Sequence, residues 1–173
     1  DEWFPSADER MIARLSELAR GGPALELAIG SGRVALPLQR AGVQVQGIDI
    51  SPEMVARLRA RPGGDSIPVT IGDFADVGVD GEFGLIFVVF NTFFGLLSQG
   101  EQVRCFENVA RHLAPGGVFV VEVFVPDVTR FTARQGVRAV KIELNAVHLD
   151  ITAWDPLNQS VTTQHVVLTE QGA

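Results

Sequence analysis

Ala24-Leu25-Glu26-Leu27-Ala28-Ile29-Gly30-Ser31-Gly32 decides the fold of this chain, together with Gly47-Ile48-Asp49-Ile50 one predicted helix further on. The first stretch reads as an apolar strand running into a glycine turn, the second as a strand ending in a carboxylate. A strand buried on both faces shows a nearly unbroken apolar run, as Leu25 to Ile29 does. Glycine in the turn admits backbone conformations closed to other residues and lets a ligand approach the main chain. A helix starting after such a turn offers unpaired N–H groups, and an acidic residue ending the next strand can accept ribose hydroxyl protons. This is the layout of a site for a nucleotide-like cofactor, with the identity of that cofactor open.

Upstream, Ser6-Ala7-Asp8-Glu9 has capping-box spacing, and Met11, Ile12, Leu15 and Leu18 stripe the helix it opens until Gly21-Gly22-Pro23 stops it. Downstream, a helix runs from about Arg33 to Arg40 and ends at Gly42. Val43 to Ile50 is the second strand, and Ser51-Pro52 opens a helix to about Arg61 that Pro62-Gly63-Gly64 breaks. Ile67 to Ile71 and Gly84 to Phe90 are the third and fourth strands. Gly100 to Leu113 is amphipathic, with Val103, Phe106, Val109 and Leu113 on one face, and Pro115-Gly116-Gly117 turns the chain into a fifth strand, Val118 to Val125. Such alternation predicts right-handed βαβ units, and hence an α/β fold: a doubly wound, mainly parallel sheet with helices on both faces.

The pattern changes after Pro126. A short helix is expected over Asp127 to Ala133, then two long strands, Val137 to Trp154 and Val161 to Leu168, joined as a C-terminal antiparallel hairpin by Asp155-Pro156-Leu157-Asn158-Gln159. The expected organisation is a cofactor-binding domain over residues 1–126 and a hairpin extension over 127–173 within the same domain, acting as a lid or an oligomerisation element.

Composition narrows the classes. The chain has 173 residues, 46% of them apolar, enough for one well-buried domain. No apolar run reaches the length of a membrane-spanning helix, and Asp1-Glu2-Trp3-Phe4-Pro5 lacks the basic flank and apolar core of a signal peptide. The single cysteine, Cys105, excludes an intramolecular disulfide and fits a reducing, cytoplasmic setting, where it reads as inert packing. A formal net charge of −7 argues against nucleic acid as a partner. The three histidines show no metal-ligand spacing, so no metal is expected. His112 reads as a favourable charge at a helix C-terminus. His148 and His165 read as surface residues of the hairpin, or as a base if the hairpin covers the site. No nucleophile–base arrangement emerges, and the catalytic residues stay unassigned.

Two cofactors compete for the glycine turn. Gly30-Ser31-Gly32-Arg33-Val34-Ala35 satisfies the dinucleotide spacing, with Asp49 about 20 residues downstream. A nicotinamide-dependent oxidoreductase finds no further support: tyrosine is absent, Lys141 is the only lysine, and no Tyr-x-x-x-Lys pair exists. The other cofactor is S-adenosylmethionine. Glu26 two positions ahead of Ala28, Gly30 and Gly32, Asp49 at the second strand end, Gly72-Asp73-Phe74 beyond the third, Phe90-Asn91-Thr92 ending the fourth and Leu113-Ala114-Pro115-Gly116-Gly117 before the fifth stand in order. In this the chain resembles the class I (Rossmann-like) S-adenosylmethionine-dependent methyltransferases, and most closely bacterial members acting on small molecules. The resemblance runs from the first strand to the fifth and departs at Ala28, where most relatives have glycine.

The resemblance implies roles residue by residue. Gly30 and Gly32 would let the main chain lie against the methionine moiety, with Ala28 adding one methyl there. Glu26 would act on the cofactor's ammonium, Asp49 would hold the ribose hydroxyls, and Asp73 would accept from the adenine amino group. Ile50, Met54 and Phe74 would sandwich the ring, while Asn91 and the Phe90 carbonyl would line the passage to the substrate. The residues themselves leave plainer readings open: turn and cap chemistry for Asp49, a solvated loop carboxylate for Asp73, core packing for Met54 and Phe74, and a satisfied strand end for Asn91. Glu26 inside an apolar strand has no comfortable plain reading, because a buried carboxylate without partners is costly.

The function implied is in-line transfer of the methyl group of S-adenosylmethionine to a small-molecule acceptor, in which positioning and water exclusion are the main tasks. A non-catalytic module that holds S-adenosylmethionine or S-adenosylhomocysteine is the other reading, favoured by a sealed pocket and disfavoured by an open cleft beside Asn91. Phe93, Phe94 and Trp154 are candidate walls of an acceptor pocket, or core. The resembling family adds a helix and a final strand pair after the fifth strand, so the usual C-terminal strands are expected to be missing. The exposed edge would favour association, with a homodimer through the hairpin as one form of it.

Overall fold

The computed structural model describes residues 7–125, 134–170 and 172. Its first unit, Asp1–Phe124, is built around β1 (Ala24–Leu27), whose four residues are all buried. β1 is paired in parallel on both sides, Ala24 lying opposite Val45 of β2 (Val45–Asp49) and Leu85 of β4 (Phe83–Val88). With β3 (Val69–Ile71) and β5 (Leu113–Val121) the sheet has the order β3-β2-β1-β4-β5, parallel throughout.

Side-chain alternation sends Ala24 and Glu26 to one face of β1 and Leu25 and Leu27 to the other. On the first face, Leu85 and Phe87 pack with Leu15 of α1 (Glu9–Ala19), Leu38 of α2 (Ala35–Arg40) and Leu58 of α3 (Pro52–Arg59). On the second, Leu25, Leu27, Ile86 and Val88 pack with Cys105 and Val109 of α4 (Gln99–His112). The fold is the doubly wound α/β sheet that the strand pattern predicts.

Helix starts are set by local hydrogen bonds. The Asp8 carboxylate accepts from the Arg10 N–H at 3.0 Å to cap α1; Ser6, the cap expected from the sequence, lies outside the described residues. Ser51 caps α3 ahead of Pro52, and Ser98 with Glu101 forms the reciprocal capping box of α4. Each such cap contributes about 1 kcal/mol.

Several strand boundaries depart from expectation, those of β4 and β5 among them. β4 stops at Val88 rather than Phe90, because Phe90 and Asn91 take left-handed backbone at φ 58° and 64°. β5 begins at Leu113 and ends at Val121, so Pro115-Gly116-Gly117 is an irregularity inside the strand, with the register shifting between Phe83 and Leu85.

The second unit, Val125–Ala173, is an antiparallel meander of β6 (Gln135–Ile142), β7 (Ala146–Asp155) and β8 (Ser160–Thr169). The expected hairpin therefore has three strands. The long strand read from Val137 to Trp154 breaks at Glu143-Leu144-Asn145, where the Glu143 N–H donates to the Ala146 carbonyl at 2.8 Å. No glycine or proline punctuates that turn, so composition concealed it. The second turn falls where expected, with the Asp155 carboxylate accepting from the Leu157 and Asn158 N–H groups. The helix expected over 127–133 lies outside the described residues. Among the described residues, no helix is long and apolar enough to cross a membrane.

Candidate functional site

In an open parallel sheet, ligands sit beyond the C-terminal ends of the strands, where neighbouring connections diverge to opposite faces. β1 and β4 are such neighbours. Beyond their ends opens a cleft of about 240 Å³ lined by Glu26, Ala28, Ile29, Gly30, Ser31, Arg33, Val34, Met54, Val89, Phe90 and Thr92. A wider depression of about 460 Å³ on the meander, between Gln135, Val137, Ile151 and Gln164, has no ionisable side chain in its lining. The smaller cleft is the one with chemistry.

Glu26 is 3% exposed, and its Oε2 is buried without a hydrogen-bond partner. Burial raises its pKa well above the ordinary carboxylate value; the Ala35 N–H and Arg33 work against that rise, and Asp49 adds to it. An unfilled acceptor on a buried acid is expensive to keep, which marks a position built to receive a donor. Ala28 stands at φ 57°. The left-handed region costs a residue with a Cβ about 1 kcal/mol relative to glycine, which is the physical reason for glycine at this point in the resembling family. Gly30, at φ 56°, faces Met54, whose Cε would lie 3.4 Å from a Cβ placed there.

The other residues singled out from the sequence do not line the cleft. Asp49 ties the turn to the sheet: Oδ2 accepts from the Gly30 N–H at 2.6 Å and Oδ1 from the Ser51 N–H at 2.8 Å. Each oxygen keeps a second lone pair. Ile50, beside it, is exposed. Gly32 serves packing, since a Cβ there would sit 2.2 Å from Leu58 Cδ1. Asp73 Oδ1 accepts from the Ala75 N–H, and Phe74 packs against the second core cluster. Asn91 closes the strand end: Oδ1 accepts from the Phe124 N–H at 2.6 Å, and its own N–H donates to the Glu122 carbonyl. Glu26, Ala28, Gly30, Met54 and Phe90 thus meet at the cleft, while Gly32, Asp49, Asp73, Phe74 and Asn91 hold the frame around it.

Arg33 was not singled out from the sequence. Its guanidinium carbon lies 3.5 Å from the centroid of the Phe90 ring. Phe90 is in turn held by its N–H, which donates to Glu122 Oε2 at 3.0 Å. Nothing local signals this stack, because it joins the turn after β1 to the end of β4.

Phe93 is core, edge-on to Phe106, whereas Phe94 packs edge-on against Phe124. Trp154 belongs to β7 of the other unit. Cys105 is fully buried; burial and then Asp73 push its thiol up to about 11, so it is unreactive near neutral pH. The His112 ring nitrogens lie 2.8 Å from the Asn108 carbonyl and 3.0 Å from that of Val79, tying α4 to the loop before β4. In the meander, His165 Nδ1 lies 2.6 Å from Asp150 Oδ1 and His148 Nε2 3.1 Å from Glu143 Oε2. Among the described residues, no three His, Cys, Asp or Glu side chains cluster in a way that would hold a metal.

A parallel sheet in the order β3-β2-β1-β4-β5 with an acid-floored cleft beyond β1 and β4 defines a Rossmann-like class. Residues 24–117 match the family model described as a methyltransferase domain, and the chain belongs to that family. It is similar to the solved CcbJ methyltransferase from Streptomyces caelestis, with 36% identity and a TM-score of 0.88 over 98% of this chain and 69% of that one. It is 29% identical over 147 residues to a dTDP-4-amino-2,3,4,6-tetradeoxy-D-glucose N,N-dimethyltransferase of Saccharopolyspora spinosa, covering 80% of this chain and 58% of the relative. CalS10, an amino pentose methyltransferase from Micromonospora echinaspora solved with S-adenosylmethionine bound, shares the fold at 21% identity and a TM-score of 0.67, over 92% and 74% of the two chains. The chain spans about half the length of the curated relatives it matches.

Proposed function

We propose that this chain binds S-adenosylmethionine and serves transfer of its methyl group to a small-molecule acceptor. Two of the relatives carry amino-sugar substrates in their names, which favours an amine as the acceptor group. The observation that carries the reading is Glu26 Oε2, a buried and unfilled acceptor on the wall of the cleft. An ammonium group fills it and favours the ionised form of the acid by its charge as well as by its hydrogen bond, where a neutral donor offers the hydrogen bond alone.

The remaining residues fit that cofactor. Main chain from Ala28 to Gly30 would lie along the methionine moiety, and the spare lone pairs of Asp49 would take the ribose hydroxyls. Asp73 would meet the adenine amino group, with Ile50, Met54 and Phe74 about the ring, and Asn91 with the Phe90 carbonyl would flank the passage to the acceptor. When bound, S-adenosylmethionine supplies an electrophilic methyl group on a sulfonium leaving group. The chain's part is then to hold acceptor and methyl in line and to keep water out. No general base is assigned; one is required only where the acceptor must lose a proton during attack.

Residues 127–173 are proposed as a lid or self-association element, on the strength of apolar side chains such as Val137 and Ile142 that stand exposed on the meander. The single Cys105 and the net charge of −7 support a cytoplasmic setting and a partner other than nucleic acid.

Calorimetric titration with S-adenosylmethionine, S-adenosylhomocysteine and NAD in parallel tests the reading. Binding of both adenosyl ligands and not of NAD is expected, and binding of NAD alone overturns it. An Asp49→Ala variant is expected to lose most of the affinity for both adenosyl ligands; unchanged affinity removes Asp49 from the site.

A further inference from the structure

We infer that Glu122 is a positioning residue, whose carboxylate holds Phe90 in place as a wall of the cleft. The inference rests on the proposed function and adds to it a residue outside the lining of the cleft, acting through one that belongs to it.

The ladder between β4 and β5 gives Glu122 this task. Its N–H donates to the Val88 carbonyl at 2.9 Å, one step beyond the Val88–Val121 pair. In a regular parallel ladder the Glu122 carbonyl would next accept from the N–H of Phe90. It accepts instead from that of Asn91, at 3.1 Å. The β4 side therefore carries one extra residue, Phe90, and the irregularity is a bulge. Phe90 at φ 58° and Asn91 at φ 64° both have left-handed backbone. That region favours glycine, and an aromatic residue is strained in it. A bulge also leaves the N–H of its extra residue outside the ladder. Here the Glu122 side chain takes up that N–H, with Oε2 accepting at 3.0 Å. One residue past the end of β5 thus binds both amides of the corner, Phe90 through its carboxylate and Asn91 through its carbonyl. The Phe124 N–H adds a third bond, donating to Asn91 Oδ1 at 2.6 Å.

The consequence reaches the cleft through Phe90, which lines it beside Val89 and Thr92 and whose ring lies against the Arg33 guanidinium. Relaxation of the corner to extended backbone would move that ring and reshape the cleft where the passage to the acceptor is proposed. The bond to Glu122 opposes the relaxation, and a bond to a charged acceptor is stronger than one between neutral groups.

The test uses Glu122→Ala, Glu122→Gln and Glu122→Asp, with S-adenosylhomocysteine calorimetry, thermal melts and hydrogen exchange of the Phe90 amide read by NMR. Glu122→Gln keeps an oxygen at the same reach without the charge, whereas Glu122→Asp keeps the charge one methylene short. Glu122→Ala and Glu122→Asp are expected to speed exchange of the Phe90 amide about tenfold and to weaken S-adenosylhomocysteine roughly three- to tenfold. Glu122→Gln is expected to stay within about twofold of the unmodified chain in both. If Glu122 acted only by its charge, which Arg33 feels, Asp would match the unmodified chain and Gln would match Ala, which overturns the inference. If Glu122 only stabilised the strand end, melting temperatures would fall while the affinity of the folded chain stayed unchanged, which overturns it as well. Should Glu122→Ala fail to fold, the contrast between Gln and Asp decides. If the unmodified chain binds no S-adenosylhomocysteine, the functional reading fails and this inference with it. If it binds and all three variants bind equally, only this inference fails.

Discussion

The two units of the chain solve the same problem, a stable sheet, by opposite means. In the first, the central strands β1 and β4, of four and six residues, are buried almost throughout, and Leu25, Leu85, Ile86 and Phe87 have no exposed surface. In the second, the ten-residue strands β7 and β8 pair in unbroken antiparallel register and the eight-residue β6 joins β7 with one irregularity between Ala139 and Lys141, yet Val137 is 67% exposed and Leu168 41%. Burial of apolar area supports the parallel sheet; ladder hydrogen bonds and cross-strand pairs support the meander. Charge is handled in opposite ways too. Glu26 is buried with an unfilled oxygen, whereas Asp150 accepts from Arg138 at 3.1 Å and pairs with His165. The first unit tolerates a strained and unsatisfied group at its strand ends because a dense core lies behind it.

The largest expected effect compares one substitution in both units. Leu85→Ala is expected to cost about 2–5 kcal/mol by leaving a cavity, and Leu168→Ala about 0.5 kcal/mol. Hydrogen exchange, read separately for amides of 24–121 and 135–169, measures both. Equal losses would break the contrast in burial.

Next come the two acids. With its folded pKa raised, Glu26 gives no penalty below the ordinary carboxylate value of about 4.3. Stability is lost as pH rises from there through the raised value, since the unfolded chain ionises first. Glu26→Gln is therefore expected to be more stable than the parent, by a margin that grows as the pH of a thermal melt is raised. Burial works to raise the Asp150 pKa, but the bonds from Arg138 and His165 outweigh it and lower the value. Its contribution is present above about pH 4 and lost as pH falls. Asp150→Asn is expected to lose at most about 1 kcal/mol at neutral pH, and nothing in strong acid. Parallel pH responses of the two variants would remove the distinction.

The smallest effect sharpens it. Ala28 and Gln159, one in each unit, both hold positive φ, at 57° and 50°. Glycine at either position is expected to add about 0.5 kcal/mol in denaturant unfolding. Ala28→Gly alone is expected also to alter binding of S-adenosylhomocysteine, because only Ala28 lines the cleft.

What could be read from the chain without its structure was whatever local chemistry specifies. Apolar runs, Ser51-Pro52 and the Gly-Pro breaks placed the parallel strands and helices, because periodicity and caps act within a few residues. Glu26 was legible for the same reason, as a charge inside an apolar strand. The turn at Glu143-Leu144-Asn145 was not, since Asn145 is its one usual turn residue and neither glycine nor proline marks it.

The sequence by itself therefore determined the doubly wound class and the buried acid of its cleft. Only the tertiary structure decided the left-handed backbone of Ala28 and Phe90, the two amides held by Asp49, and the stacking of Arg33 on Phe90. The bond from the Gly30 N–H to Asp49 and the stack of Arg33 on Phe90 join groups far apart in the chain, and their positions are set by the packing of whole elements rather than by neighbours in sequence.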